Sequence, residues 1–256
     1  MSNTELLERH FSRIGARAHV TPLARGRIAL DVRRDADGER FEIDLPAGSE
    51  TLVLDAQRRE RHLVLLVKEG GRRSRFLCGH DERHWFVAAI PESATGVTTV
   101  AQAQDALRPA PVSQAAATLR PKQRRRRRNP AFVRQGEWFF LPVGDLRPSM
   151  LLHHEPLSRG SGKPHIMEYA SRRPGGTVVY VSRSHPAGLS QQAFNALSER
   201  QRRGQFWQQM TTGAAVFARG RVSHPDHATI ALDGWHQVFM STEHGAAASR
   251  HVAFLD

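Results

Sequence analysis

The chain has 256 residues, of which 39% are apolar and 24% charged, and its formal net charge is +12. These values are ordinary for a globular protein with a sizeable core, and they exclude a wholly disordered chain. No apolar run approaches the ~18–20 residues of a membrane span, and one cysteine, Cys78, excludes an internal disulfide framework. The polar N-terminal residues lack the pattern of a secretory signal. We therefore expect a cytoplasmic protein with no membrane partner.

The positive charge is concentrated in one short segment. Residues 1–119 carry 17 basic and 16 acidic side chains, and residues 131–256 carry 13 and 9. The 11 residues between them, 120–130, hold seven basic side chains and no acidic one. Charge of one sign that is concentrated in this way indicates a binding segment more strongly than a diffuse excess does.

The first half of the chain predicts a short helix followed by many strands. Residues 4–16 have apolar side chains at helical spacing, with Ser2 and Glu5 as a capping box. Alternating apolar residues then predict a hairpin, whose turn is Asp35-Ala36-Asp37-Gly38. A meander should follow at about 51–55, 61–68, 73–78 and 84–90, and a helix at 98–107. We expect this first domain to cover residues 1–108.

Residues 109–130 have a different composition from the rest of the chain. Four prolines flank alanine, serine, glutamine and the arginine run, and we expect no apolar side chain here to support a core. The segment is therefore predicted to be a basic linker.

The second half again predicts strands with few helices. A hairpin is expected around Gln135-Gly136, strands at 165–172 and 177–183, a helix at 190–203, and strands at 214–222, 227–232 and 235–241. The pattern favours a second domain at 131–256. The expected fold class is α+β, mainly β, with two small strand-rich domains joined by the basic linker.

The arginine-rich segment predicts a nucleic-acid partner. Arginine offers phosphate two hydrogen bonds and can stack on bases, and a cluster releases counterions from the backbone. RNA is slightly preferred over DNA, because arginine-rich segments commonly fold onto structured RNA. The protein could belong to a ribonucleoprotein or to mobile-element machinery. The residues predicted to bind nucleic acid here are Arg120, Lys122, Arg124, Arg125, Arg126, Arg127, Arg128, Arg134 and Trp138.

A glycine-containing loop at 158–165 is a second candidate for phosphate binding. Its backbone N–H groups could approach an anion, and Arg159 and Lys163 add positive charge. The loop does not have the spacing of a P-loop. An ordinary flexible turn is the alternative.

A histidine-rich turn carries the enzymatic alternative, a metal- or histidine-dependent phosphodiesterase or nuclease. Nine of the 14 histidines follow residue 150, most densely at 224–229. Imidazoles can transfer protons or bind a divalent metal, which would be the cofactor. The candidate catalytic residues are His227, His224, His236 and Thr229, and the candidate metal ligands are His224, Asp226 and His227. Histidines that bind nothing in polar turns are the plainer interpretation.

The string His227-Ala228-Thr229-Ile230 resembles half of the signature of two-histidine phosphoesterases. In that family two such motifs face each other and act on a phosphodiester by acid–base transfer. The other string here, His19-Val20-Thr21, departs from the family because Pro22 follows it and because it lies far from the first in the chain.

Two further alternatives remain open. Cys78, His80, Asp81 and His84 form a second possible metal group, without the paired cysteine spacing of a strong zinc motif. The basic linker could also dock an acidic protein, in which case the chain would be a structural adaptor.

Overall fold

The computed structural model describes residues 3–158, 163–182, 184–185 and 188–242, with the backbone alone at 210–212. The fold is mainly β, with 49% of residues in strands and 17% in short helices, as the sequence predicts. The described chain forms two compact units. The first ends at Arg126 and also includes Ser241 and Thr242, and the second runs from Arg127 to Met240.

The first unit contains two sheets and four helices. Strands β1, β3 and β2 form one sheet in that spatial order, and β4 to β7 form an antiparallel meander. The elements are α1 (Asn3–Arg13), β1 (Arg17–Leu23), β2 (Ala29–Asp35), β3 (Gly38–Pro46), β4 (Glu50–Gln57), β5 (His62–Glu69), β6 (Arg72–Asp81), β7 (His84–Ala89), α2 (Val100–Ala106), α3 (Ala110–Ala115) and α4 (Pro121–Arg124).

The meander is covered on both faces, and the sequence of β5 shows why. Its run Leu63–Val67 is buried without alternation, which is typical of a strand with apolar neighbours on both sides. Leu63 and Leu65 join the core that contains Phe11 of α1 and Phe41 of β3. On the opposite face, Val64 packs with residues of α2.

Strand β1 has no counterpart among the predicted elements. It pairs in parallel with β3, from Arg17 opposite Arg40 to Leu23 opposite Pro46. Only Val20 in it is fully buried, so its sequence lacks the alternation that marks a half-buried strand. The pairing with β3 stabilises it instead.

The expectation that residues 109–130 lack core-forming side chains is wrong for Val112 and Ala116, which are fully buried. Pro109 precedes α3, where a fixed φ and a missing N–H suit a helix start. Residues 109–126 therefore fold as part of the first unit rather than as free chain. The predicted domain boundaries themselves stay a prediction.

The second unit contains a six-stranded antiparallel sheet, in the order β10-β11-β15-β16-β9-β8, and a small sheet, in the order β13-β12-β14. The elements are β8 (Val133–Gln135), β9 (Trp138–Pro142), β10 (Leu152–Leu157), β11 (His165–Arg173), β12 (Thr177–Val181), β13 (Leu189–Ser190), α5 (Gln191–Asn195), α6 (Glu199–Arg203), β14 (Gln208–Thr212), β15 (Ala215–His224) and β16 (His227–Met240).

Two predicted elements of this unit differ in the structure. The helix expected at 190–203 is two short helices, because Ser198 caps a second start with its hydroxyl on the N–H of Gln201. The strands expected at 227–232 and 235–241 are one continuous strand, β16. Asp233-Gly234 therefore does not end the strand.

The short hairpin formed by β8 and β9 contacts the ends of β15 and β16 near the turn that joins them. Gln135 is fully buried, and its amide group donates to the carbonyls of Val222 in β15 and Ala228 in β16. Gly136 occupies the turn at φ +57°, a conformation that favours glycine. This hairpin closes over the ends of β15 and β16, where the histidines lie.

Among the described residues, no helix combines the length and the apolar character needed to cross a bilayer.

Candidate functional site

The structure brings together three histidines from three strand ends. His165 begins β11, His224 ends β15 and His227 begins β16. The pairing of Ile166 with Ser223 places β11 beside β15. The turn between β15 and β16 then places His224 opposite His227. We call these three residues the histidine cluster.

The rings of the histidine cluster stack on one another. The centroids of His165 and His224 are 4.1 Å apart with planes 24° from parallel, and those of His224 and His227 are 4.7 Å apart. One ring nitrogen from each histidine lies within 4.8 Å of the other two. The arrangement therefore concentrates imidazole lone pairs in a small volume.

His165 is the buried member of the cluster, with 2% of its surface exposed. Neither of its ring nitrogens has a hydrogen-bond partner among the described residues. Burial, with added repulsion from His224 and His227, lowers the pKa of His165 to about 3. The ring is therefore neutral at physiological pH and keeps one lone pair available to a ligand.

His224 is held in a defined orientation by two bonds. Its Nδ1 accepts from the backbone N–H of Asp226 at 3.1 Å. Its Nε2 lies 3.1 Å from the carbonyl oxygen of Lys163, to which an Nε2–H donates. These two bonds together define the neutral tautomer with the proton on Nε2.

Gly136 faces the histidine cluster from the hairpin turn. A Cβ atom at this position would lie 2.8 Å from Nε2 of His227 and 3.4 Å from Nε2 of His165. The two nitrogens therefore converge on the space that a side chain at 136 would fill. A larger residue could occupy this turn only if the rings moved.

Other buried polar atoms near the cluster also lack partners. Oε1 of Gln135 and Nε1 of Trp138 have none, although both residues are buried. The rings of Trp138 and His165 are 6.4 Å apart. Buried polar atoms without partners are uncommon in native proteins and mark a place where water or an ion completes the hydrogen bonding.

The residues predicted for metal binding and catalysis divide into two groups. His224 and His227 are brought together. Asp226 lies in the same turn, but its carboxylate bonds the ammonium group of Lys163 at 2.8 and 3.0 Å. Thr229 is exposed on β16.

His236 is not brought to the cluster. It lies on the same strand as His227, nine residues further on, and is opposite Ala218 of β15 rather than at the turn. Its Nδ1 bonds the carbonyl of Gly234. The expectation that the chain returns it to the turn fails because β16 continues through Gly234.

We call residues 120–130 the basic segment. Its part in the first unit contains both cations that bond the backbone and cations that are exposed to solvent. The guanidinium group of Arg124 donates to the carbonyls of Leu119 and Ala117, each at 2.6 Å. Arg120, Lys122 and Arg125 are exposed and form no ion pair with any described residue, and Arg126 is exposed as well.

In the second unit, the segment continues with Arg127 and Arg128. Arg128 donates to the carbonyl of Ala231 at 2.6 Å. Burial, together with the nearby charge of Arg134, lowers the pKa of Arg127 to about 10, so the group stays charged at neutral pH. Arg134 itself donates to the carbonyl of Gly136 and lies over the ring of Phe139.

The remaining residues predicted to bind nucleic acid are placed less favourably. Trp138 is 7% exposed and belongs to the core of the second unit. Its ring is therefore not available to stack on a base, which corrects the prediction. Lys163 is exposed but paired with Asp226, and Arg159 lies outside the described residues.

The second possible metal group does not come together. Cys78 is fully buried in the apolar core of the first unit, where burial raises the pKa of its thiol. His84 instead bonds the carboxylate of Glu39 at 2.5 Å. Cys78 is therefore an apolar core residue rather than a ligand.

Comparisons with models of known protein families, with curated proteins and with solved structures gave no match.

Two residues of this site were not among the site residues predicted from the sequence: His165, a member of the cluster, and Gly136, which faces it. His165 follows a glycine-rich loop, and 59 residues separate it from His224. The high density of histidines at 224–229 indicated a possible site in the sequence. A single histidine at the start of a strand, such as His165, gives no such indication. Only the pairing of β11 with β15 shows that His165 belongs to the site.

Proposed function

We propose that this protein binds nucleic acid, with RNA preferred over DNA, through the exposed cations of the basic segment. The observation that carries the proposal is the group of exposed side chains at Arg120, Lys122, Arg125 and Arg126. Three of these four cations have no ion-pair partner among the described residues, so their charge is available to phosphate.

The physical argument is counterion release. Each phosphate that a cation neutralises frees a condensed counterion. The resulting gain in binding free energy depends on salt concentration and not on the nucleotide sequence. The guanidinium group of arginine is also more weakly hydrated than the ammonium group of lysine, so arginine loses less hydration free energy when it contacts phosphate. The repulsion between Arg127 and Arg134 supports the proposal, because a bound phosphate beside either of them would relieve it.

The preference for RNA rests on the shape of the partner. Arginine-rich segments bind folded RNA through phosphates and stacked bases rather than through the deep groove of the helix. A role within a ribonucleoprotein or in mobile-element machinery is consistent with this kind of binding.

The test replaces Arg120, Lys122 and Arg125 together by glutamine. The matched control replaces Arg58, Arg59 and Arg73, three exposed arginines of the same unit that also lack ion pairs among the described residues. Both variants lose the same net charge. Binding to a labelled RNA stem-loop and to a DNA duplex of equal length is measured against the logarithm of salt concentration.

For the duplex we expect the salt slope to fall by about 0.9 for each lost contact, and therefore by up to ~3, in the first variant only. An equal fall in both variants would mean that diffuse charge binds the strand. If neither slope changes, the segment does not bind nucleic acid. Binding to an acidic protein at moderate salt, with no binding to either strand, would instead support the adaptor.

We also propose that the chain comprises two domains that fold independently. The second covers about 131–256, and the first extends beyond the predicted 1–108 to include residues 109–126, which pack with it. Limited digestion with trypsin should cut first after Arg125 or Arg126, where the chain is exposed and the two compact units meet in sequence. Two resistant fragments should then remain. First cuts within β5 or β16 would contradict the boundaries, and protection by bound RNA would place the partner at the segment.

A second candidate function is cleavage of a phosphodiester by the second unit, with or without a divalent metal. One observation favours it, which is the assembly of three imidazoles within 4.8 Å of one another. An imidazole that changes charge near neutral pH can take a proton from an attacking group and return it to the leaving group. His227, half-buried at the start of β16, is the residue to which we assign that transfer.

Cleavage is tested on a labelled single strand with and without chelator. We expect His227→Ala to abolish cleavage while RNA binding through the basic segment is unchanged. The matched control is His153→Ala, an exposed histidine of the same unit. If the protein binds the strand and never cleaves it, the enzyme assignment is wrong and the binding assignment stands.

A further inference from the structure

We infer that His165, His224 and His227 form a binding site for a first-row transition metal, with Zn²⁺ as the expected ion, beside the hairpin turn at Gly136. The inference does not depend on RNA binding or on strand cleavage, because a metal site can exist without either. Four observations carry it.

The first observation is the distance between the donor atoms. One nitrogen from each histidine lies within 4.8 Å of the other two. Zn–N bonds of about 2.0–2.1 Å place two ligand nitrogens about 3.4 Å apart in a tetrahedral site. Closing the cluster therefore requires the nitrogens to approach one another by up to about 1.4 Å. It also requires the stacked rings to turn until their lone pairs point at the ion.

The second observation is the close approach of the hairpin turn to the cluster. An ideal Cβ at Gly136 would lie 2.8 Å from Nε2 of His227 and 3.4 Å from Nε2 of His165. The two nitrogens therefore face the same turn, and any larger residue at 136 would press on the ring of His227. The positive φ of Gly136 also favours glycine at this position.

The third observation is that His165 offers its nitrogens to no other described residue. The ring is buried, and neither nitrogen has a hydrogen-bond partner within the described part of the chain. Binding would give one of these nitrogens the partner that it lacks.

The fourth observation is the orientation of His224. Its Nε2–H faces the carbonyl oxygen of Lys163. A backbone carbonyl that holds one ring nitrogen, and so directs the other at the ion, is a common support for a ligating histidine. Nδ1 would exchange its bond from the N–H of Asp226 for a bond to the metal.

The ligand set determines the kind of ion. Three neutral imidazoles suit Zn²⁺, Co²⁺, Ni²⁺ or Cu²⁺, whereas Mg²⁺ and Ca²⁺ require oxygen ligands. Three protein ligands leave a fourth position for water, as in catalytic rather than structural zinc sites. Gln135, next to Gly136 in the chain, has a buried Oε1 without a partner that could accept from such a water.

The experiment titrates the full-length protein, purified without a polyhistidine tag, with Co²⁺ and then with Zn²⁺. We expect one equivalent of Co²⁺ to bind with the visible absorption of a tetrahedral ion, and Zn²⁺ to displace it. His165→Gln, His224→Gln and His227→Gln should each weaken Co²⁺ binding by at least 10–100-fold, the range known for the loss of a supporting residue alone. His153→Gln should bind as the wild type does.

Gly136→Ala tests the geometry of the cluster without removing a ligand. Its matched control is Gly213→Ala, because Gly213 also has a positive φ but a Cβ there would meet no atom of the described residues within 4 Å. Both substitutions place alanine at a positive φ, and only the first presses on the ring of His227. We expect Gly136→Ala to weaken Co²⁺ binding by at least tenfold and Gly213→Ala to leave it unchanged.

Several results would overturn the inference. One is that the wild type binds no Co²⁺. Another is that the wild type and the histidine variants bind Co²⁺ with equal affinity. A third is that bound Co²⁺ shows the visible absorption of an octahedral ion. Circular dichroism shows whether His165→Gln folds. If it does not, His224→Gln and Gly136→Ala decide the question. Both should still fold, because His224 is only half-buried and Gly136→Ala adds a single methyl group. Metal binding without strand cleavage would leave the site in place and reject the nuclease.

Discussion

The basic segment and the histidine cluster place their polar groups in opposite environments. In the basic segment, Arg120, Lys122 and Arg125 keep full positive charges in water. In the histidine cluster, His165 is buried and neutral, and no described residue bonds either of its nitrogens. The first arrangement acts over a Debye length of about 8–10 Å and weakens with salt. The second acts only by direct contact and is shielded from salt.

This difference separates the two kinds of ligand. A flexible polyanion is attracted by exposed charge and needs no fixed geometry. A metal ion requires lone pairs held at defined distances, and the protein provides them with strand ends and a glycine turn. The two proposals can therefore fail independently, and the following predictions test each region against the other.

The largest effect is expected from zinc. At a free Zn²⁺ concentration 100 times the dissociation constant, the wild type should gain about 2.7 kcal/mol of stability against unfolding. Because the donors are neutral and enclosed, raising NaCl from 50 to 500 mM should leave this gain almost unchanged, while RNA binding falls steeply. Thermal unfolding with and without Zn²⁺ at both salt concentrations measures the gain, and His227→Gln is the control.

A gain that disappears in high salt would show that Zn²⁺ binds to exposed surface groups. A gain that persists in His227→Gln would place the ion elsewhere in the chain.

The second effect separates two neighbouring arginines. Arg124→Gln removes the hydrogen bonds to the carbonyls of Leu119 and Ala117. Because hydrogen bonds from charged donors contribute most to stability, we expect this change to destabilise the first unit by about 1–2 kcal/mol. Its effect on the salt slope should be small. Arg125→Gln should do the reverse, with stability within about 0.5 kcal/mol of the wild type and a slope lower by ~0.9 for a duplex.

Urea denaturation and binding titrations on the same two proteins check this pair. Equal effects of both variants on the salt slope would mean that Arg124 reaches the nucleic acid as well. The basic segment would then be a free chain when RNA is bound, and the helix at Pro121–Arg124 would belong only to the unbound protein.

The two regions also differ in how far the sequence predicts them. The basic segment is visible directly, because its seven cations are contiguous or nearly so. The sequence does not show which of these cations are structural, since the carbonyls bonded by Arg124 and Arg128 are brought near by the fold. The meander of the first unit was predicted well, because its strands are consecutive and separated by short turns.

The histidine cluster could be predicted only in part. His224 and His227 flank one turn, so local spacing is enough to pair them. His165 joins them through the pairing of β11 with β15, a contact between residues almost 60 positions apart, which no local pattern encodes. The role of Gly136 also depends on tertiary structure, because glycine in a hairpin turn is ordinary and its closeness to two nitrogens is not visible in the sequence.

The smallest effect concerns the stability of the metal-free protein. Buried polar atoms without partners cost about 1–3 kcal/mol relative to satisfied ones. His165→Phe replaces two such nitrogens with an apolar ring of similar shape and larger volume. Since some strain accompanies the larger ring, we expect a net stabilisation of about 1 kcal/mol in urea denaturation with chelator present. His153→Phe, at an exposed position, should stay within about 0.5 kcal/mol of the wild type.

Adding Zn²⁺ should reverse the order of stability. The wild type gains the binding free energy and His165→Phe does not, so the more stable protein under chelator becomes the less stable one in zinc. This reversal is the behaviour of a residue kept for a ligand at a cost to the fold. A His165→Phe variant that is less stable than the wild type under both conditions would show that the imidazole is satisfied within the folded protein. His165 would then be a structural residue, and the histidine cluster would lose its buried ligand.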